Sequence, residues 1–477
     1  MRQHADRRQR NRGPQGVGEA EPRPSGRGPQ KHGGAILHTK RFVMRAQLAF
    51  ILLAAILRAN GGALRAGAAR LDITPQADAA LPMSGYANRT QGFKGIHDNI
   101  FVRAIVLDDG TTQVALVAWE LLYVPDFVWA DVSAQIAADV GIRPENVLFA
   151  AVHDHGAPTL ATTPANTADY TKKVESLAVE AVRRAKARLQ PARFGIGTGA
   201  AYLNINRREL TAAQGWWLGY NESGPSDKTV TVLRFEDMTG KPIAFLINYA
   251  VHAVIMGPEN YQITGDLAGA TSRFVEQHYR GKDHPRSDGG PRLKLRPEEA
   301  SDDGPVAVWT SGAAGDQNPV SMASGEDFTL VDALGKILGE ESVRIAGGIK
   351  TSPQARIGGS QKVVTCPGRQ VEAGSRPRAD YKFTDADPVS IHLGLVMIDT
   401  VPIAGVSGEV FTRIQQHLQR EFPHTIMVTH ADGSSGYIPD DSGFDQISYE
   451  ITTSHLKPGC AENAIVNGFL ELLRGFR

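Results

Sequence analysis

Leu148-Phe149-Ala150-Ala151-Val152-His153-Asp154-His155-Gly156 is an apolar run that stops abruptly at two imidazoles. Five consecutive apolar residues suit a strand buried on both faces. The loop that follows such a strand is where α/β proteins build their sites. Side chains at i and i+2 of an extended segment point to one side, so His153 and His155 are expected to share a pocket. Neutral imidazole is a zinc ligand and a proton carrier near pH 7. On its own, a His-x-His pair is more often two satisfied polar residues beside a core, so the rest of the chain has to carry a metal reading.

Outward from this run, strands and helices alternate. Ala69 to Pro75 reads as a first strand. Asn99 to Leu107 and Gln113 to Trp119 flank the turn Asp108-Asp109-Gly110-Thr111 and read as a hairpin. Asp126 to Val140 is helical and stops at Gly141. A second helix spans about Ala168 to Leu189, and its Arg/Lys-rich face reads as solvated. Strands follow at Arg193–Gly197, Val230–Phe235 and Ile243–Tyr249, with a helix at Thr264–Tyr279. Gly281 to Gly304 is polar and Pro/Gly-rich and reads as a surface loop. Val306–Thr310, Ser390–Ile398 and Val401–Val406 read as strands. Asp332–Ala346, Glu409–Glu421 and Glu462–Leu473 read as helices. There is no internal repeat. The alternation predicts an α/β fold with mixed β-sheets flanked by helices, in a single large domain.

Lys+Arg and Asp+Glu both number 51 in the 477 residues, so no global field draws nucleic acid or an anionic membrane. Residues 1–43 are rich in Arg, Gly, Pro and Gln and are expected to be disordered. Met44-Arg45, the apolar segment 46–57 and the small residues after Asn60 follow the order of a secretory signal, and Met44 is a candidate start. That apolar segment is shorter than the roughly 20 residues a bilayer span needs. Residues 1–66 are therefore read as leader plus signal peptide, residues 67–477 as the catalytic domain, and the protein as secreted or periplasmic. Cys366 and Cys460 are either a pair or two free thiols, and sequence leaves both open.

Four more apolar strands end in polar residues. Ile247-Asn248-Tyr249-Ala250-Val251-His252 ends in a third histidine. Val308 to Ser311 leads into Gly312-Ala313-Ala314-Gly315-Asp316-Gln317-Asn318-Pro319. Ile403 to Ser407 leads to Gly408-Glu409, read as a carboxylate that starts a helix. Asp432-Gly433-Ser434-Ser435-Gly436-Tyr437 is a Gly-rich turn that carries a tyrosine. Singly, each has an ordinary structural explanation: a hydrogen-bonded core histidine, a cap, a first-turn acid, a packed aromatic.

An ordered series of motifs carries a resemblance. Arg70-Leu71-Asp72-Ile73-Thr74-Pro75, Met83-Ser84-Gly85-Tyr86-Ala87, Gly95-Ile96-His97-Asp98 with Arg103-Ala104, and Val152 to Gly156 come first. Asn204-Ile205-Asn206-Arg207, the His252 strand, Thr264-Gly265-Asp266, Gly315-Asp316 and Gly408-Glu409 follow. From about Gly67 to Arg477 the chain resembles the catalytic domain of the neutral/alkaline (non-lysosomal) ceramidase family. The resemblance implies a zinc-dependent amidohydrolase acting on N-acyl lipids through metal-bound hydroxide. It implies His153, His252, Glu409 and Tyr437 as zinc ligands. His155 would then lie beside the metal as proton carrier, and Arg207 and Tyr449 would donate to the developing oxyanion.

The chain departs from that pattern in two places. Asn318 stands where the family has a serine; it cannot be a nucleophile, though its amide can donate to an oxyanion. The chain is also expected to lack the family's C-terminal immunoglobulin-like domain. The expected partner is a lipid or small-molecule amide, with peripheral membrane contact, no nucleic acid and no protein partner. A metal-dependent esterase and a non-catalytic ligand-binding relative are the alternatives.

Overall fold

The computed structural model describes residues 62–280, 304–372, 377 and 380–476. Residues 1–61 of the expected leader and signal peptide, and the Gly281–Gly304 loop up to its last residue, lie outside the described residues; residues 62–66 are described, with Leu64 and Ala66 buried in the fold. The first strand runs Arg65–Asp72, two residues earlier than the expected start of the domain.

Eight strands form the main sheet, in the order Val306–Ser311, Pro242–Tyr249, Thr229–Asp237, Gln190–Ala200, Arg65–Asp72, Phe101–Asp108, Gln113–Trp119, Val147–Ala151. It is mixed. The hairpin read from sequence is present, with Val102 opposite Trp119. Val147–Ala151 then pairs in parallel with Gln113–Trp119, and Pro242–Tyr249 in parallel with Val306–Ser311. A short junction joins the two halves of the sheet: Arg65 pairs with Pro191 and Ala66 with Gln190, and Ala192 N donates to Leu64 O at 2.8 Å.

A second sheet stacks on the first, in the order Ile357–Val371, Phe383–Ile398, Val401–Val406, Ile426–Thr429. Side-chain alternation along the central strands builds the layers. Phe149 and Ala151 face the helices that run through Asp126–Gln135 and Ala165–Ala187. Leu148 and Ala150 face Val396, Ile403 and Val428 of the second sheet. In the other half, Phe245 and Ile247 pack on the helices Asp266–Arg280 and Thr329–Gly348, while Leu246 faces the second sheet. The outer face of that sheet is covered by Thr412–Glu421 and Ala461–Arg474. Burial on both faces is why these strands read as unbroken apolar runs. The mixed α/β expectation holds.

Several elements differ from the reading. The segment after Asp126 is α-helical only to Gln135 and closes with a π-helical turn, Ile136–Val140, before Gly141 at φ 74°. Ile357–Val371, Ile426–Thr429 and the hairpin Asn204–Thr211/Gly215–Asn221 went unread as strands. Glu409 does not start a helix. It lies in the two-residue strand Glu409–Val410, paired in parallel with Tyr437–Ile438, and the helix begins at Thr412. Asp316 takes the place of a local cap, since its Oδ1 accepts from Thr412 N at 3.0 Å and Thr412 Oγ1 at 2.7 Å. Cys366 and Cys460 are joined in a disulfide. No helix among the described residues is long and apolar enough to cross a membrane.

Candidate metal centre

His153 follows the strand at one edge of the main sheet, and His252 follows the strand next to its other edge. The second sheet closes that distance. Its Ile426–Thr429 strand approaches both Val147–Ala151 and Val306–Ser311. Beyond this strand, Ala151 N donates to His430 O at 3.1 Å and Asp432 N to Phe149 O at 2.9 Å. On the other side, Thr429 Oγ1 donates to Gly312 O at 2.9 Å and Asn248 Nδ2 to Met427 O at 3.0 Å.

The strand carrying the first histidine ends at Ala151, and His153 itself is left-handed at φ 63°. His153 and His155 do share a pocket, with their Nε2 atoms 3.2 Å apart. A left-handed turn brings them together, which corrects the expectation of alternation along an extended strand. Space for the His155 ring depends on Gly85, where a Cβ would sit 2.2 Å from its Nδ1.

Hydrogen bonding assigns the imidazole tautomers. His153 Nδ1 lies 3.0 Å from Leu122 O, and His252 Nδ1 lies 2.7 Å from Ala314 O. A carbonyl only accepts, so each Nδ1 carries the proton and each Nε2 presents a lone pair. Both lone pairs meet Glu409 Oε2, at 3.5 Å from His153 and 3.2 Å from His252. These short contacts are not hydrogen bonds, and Glu409 Oε2 is buried without a donor. Three acceptor atoms turned on one another are the signature of a cation site. His155 adds a further imidazole, and the ligand atoms of His153, His155 and His252 lie within 4.8 Å of one another.

Burial keeps these rings neutral. It pushes His153 down to about 3 against the pull of Glu409, and His155 and His252 well below their usual value. Burial raises the Glu409 carboxyl, opposed by His153 and Arg207. It also holds the Tyr437 phenol well above its ordinary value, against Arg207. The parallel register sets Glu409 directly opposite Tyr437.

Arg207 joins this group from the strand Asn204–Thr211. Its Nη1 is 3.0 Å from His252 Nε2 and donates to Asn318 Oδ1 at 3.2 Å, and its Nη2 donates to the Tyr437 hydroxyl at 2.9 Å. Burial opposes the guanidinium charge, but Tyr437, Glu450 and Glu409 outweigh it and raise Arg207 above its ordinary value. Tyr449 stands at the rim, edge-on to Tyr437 with centroids 5.9 Å apart. All eight residues singled out from sequence therefore belong to one neighbourhood.

Two buried members were missed. Glu450 Oε1 accepts from Arg207 Nε at 2.6 Å. His430 stacks on His153, with centroids 4.1 Å apart and planes at 16°. Glu450 sits beside Tyr449 and His430 follows an apolar strand, so the strand-end pattern that found His252 also marks His430.

The fold is that of an α/β protein whose converging strand ends bring together three histidines, His153, His155 and His252, that could hold a metal ion. The profile described as neutral/alkaline non-lysosomal ceramidase, N-terminal, matches residues 64–329, and the chain belongs to that family. It is 29% identical to neutral ceramidase B of Dictyostelium discoideum over 45% of this chain and 32% of that protein. It is 30% identical to the neutral ceramidase of Pseudomonas aeruginosa over 48% of this chain and 36% of that protein. These matches span about a third of the relatives' own length. A solved ceramidase complexed with C2 shares the fold with TM-score 0.68 at 19% identity, covering 87% of this chain and 75% of that one. The crystal structure of neutral ceramidase from Pseudomonas aeruginosa aligns with TM-score 0.62 at 18% identity, covering 86% and 73%.

Proposed function

We propose that this protein hydrolyses the amide bond of an N-acyl lipid, ceramide or a related N-acyl compound, with a zinc ion held by His153, His252, Glu409 and Tyr437. The observation that carries this reading is the buried, donorless Glu409 Oε2 facing two imidazole lone pairs. When bound, a divalent cation polarises the scissile carbonyl, activates water near neutral pH and favours the phenolate of Tyr437.

The chain's own residues supply the rest. His155 Nε2, beside the cluster, takes a proton from the attacking water and returns it to the leaving amine. Arg207 stays charged and aims its Nη atoms at the space where an oxyanion forms. The half-exposed Tyr449 hydroxyl donates from the rim. Asn318 Oδ1 accepts from Arg207, and its amide hydrogens are the donors it would offer the oxyanion. A secreted or periplasmic location fits the signal-like leader and the Cys366–Cys460 bond, since disulfides persist in oxidising compartments.

The test is metal content together with a substrate panel. Purified protein is expected to hold one zinc per chain, and His252→Ala is expected to lose it. Chelation is expected to lower Tm, because the cation binds only the folded state. Full zinc occupancy in His252→Ala sinks the ligand set. On N-acyl sphingosines, N-acyl amino acids and simple esters, amide turnover supports the proposal. Turnover of esters alone makes the protein an esterase, and silence with zinc bound makes it a binding protein.

A further inference from the structure

The hairpin that delivers Arg207 to the metal centre also carries an apolar surface into solvent. Asn204–Thr211 is the middle strand of a three-stranded sheet, and Gly215–Asn221 is its edge. Leu210 is 65% exposed, Trp217 40%, Leu218 42% and Tyr220 51%. From Leu210 to Tyr220 the sequence is Leu-Thr-Ala-Ala-Gln-Gly-Trp-Trp-Leu-Gly-Tyr, without one charged residue. The neighbouring Glu209 lays its carboxylate across the edge strand, where Oε2 accepts from Tyr220 N at 3.0 Å and lies over Gly219.

Exposed edge strands normally carry charges or proline that keep them monomeric, and this one has neither. Trp217 points to one face of the ribbon, and Leu218 and Tyr220 to the other. A strand from a second copy would pair with the edge and leave both apolar faces in water. A lipid surface covers the edge and both faces together. Trp and Tyr suit that boundary, because each has an apolar body and a polar tip. The absence of basic residues matches a zwitterionic headgroup layer, not an anionic one. The edge strand also approaches the short helix Tyr449–Thr453, whose Tyr449 is 42% exposed at the rim of the metal centre.

We propose that this hairpin docks the protein on a zwitterionic lipid surface, with the metal centre opening beside the membrane. The inference rests on the N-acyl lipid reading for its purpose, but its test needs no turnover.

Trp119, Trp129 and Trp309 are buried, so among the five tryptophans Trp216 and Trp217 are the ones a lipid can reach. Vesicles of brominated phosphatidylcholine are expected to quench the wild-type chain's tryptophan emission. High salt is expected to leave the quenching intact, and phosphatidylserine is expected not to strengthen it. Trp217→Ser/Leu218→Ser/Tyr220→Ser is expected to weaken partitioning at least about tenfold. The same variant should keep its circular dichroism spectrum and its turnover of a short-chain, water-soluble amide. No quenching in the wild-type chain overturns the proposal, whatever the variant does. So does partitioning that the variant leaves unchanged, or binding that appears only with anionic lipid. A dimer that the variant breaks, without vesicle binding, assigns the surface to a second copy. Vesicle binding without turnover of any amide would sink the proposed function and leave this inference standing.

Discussion

Glu450 shapes the centre through its hold on Arg207. It is wholly buried, and Ser448 Oγ donates to its Oε2 at 2.6 Å while Arg207 Nε donates to its Oε1. With Nε anchored, the two Nη groups of the planar guanidinium are aimed at His252, Asn318 and Tyr437. Glu450→Gln keeps the shape but removes the charge. A hydrogen bond to a charged group is worth about 1.5–3 kcal/mol, so kcat/KM is expected to fall about 10- to 100-fold with zinc content unchanged. Unaltered kcat/KM on the substrate that the wild type turns over would show that Arg207 does not need this anchor.

At the scale of elements, Asp432 ties the second sheet to the strand that ends before His153. Its Oδ1 accepts from Phe149 N at 2.8 Å, while Oδ2 is buried without a partner. Burial pushes this carboxyl up to about 8, against the pull of the Phe149 hydrogen bond. An unfolded aspartate titrates near 3.9, so the folded state binds this proton more tightly. Stability is therefore lost as pH rises from about 4 to about 8. Asp432→Asn removes that dependence and keeps the acceptor for Phe149. The Tm difference, variant minus wild type, should grow from pH 5 to pH 8 in thermal melts, and a constant difference would show that Asp432 is ionised throughout. The motifs of the family resemblance divide at this scale too. Asp98 accepts from Thr264 Oγ1 at 2.6 Å and Gly265 N at 3.0 Å and pairs with Arg273 at 2.6 Å, so that part of the series is scaffold beneath the site.

Across the whole molecule, the disulfide fastens the long Ile357–Val371 strand to the start of the closing helix, joining positions 94 residues apart. Loss of a native bridge costs about 2–5 kcal/mol. Cys366→Ser/Cys460→Ser is expected to melt several degrees below the oxidised wild type and level with the reduced one. Equal Tm for the oxidised wild type and the double variant would show that the bridge adds nothing to stability.

The unbroken apolar runs ending in His153, His252 and the Glu409 segment were legible because strands buried on both faces must be apolar throughout, and polar residues at their ends stand out. Apolar spacing at i, i+3 and i+4 located the helices packed on the main sheet. The Ile357–Val371 strand was not legible, because most of it is only partly buried and its alternation is diluted by Gly, Ser, Gln and Lys. Sequence alone determined which residue types sit at strand ends, and through the ordered motifs it determined the family. Only the tertiary structure decided that a second sheet draws opposite edges of the first together. Only it showed that backbone carbonyls fix the imidazole tautomers, and that Glu450 and His430 complete the group. Those facts depend on contacts between residues from 31 to 243 positions and more apart, and local pattern holds no record of such contacts.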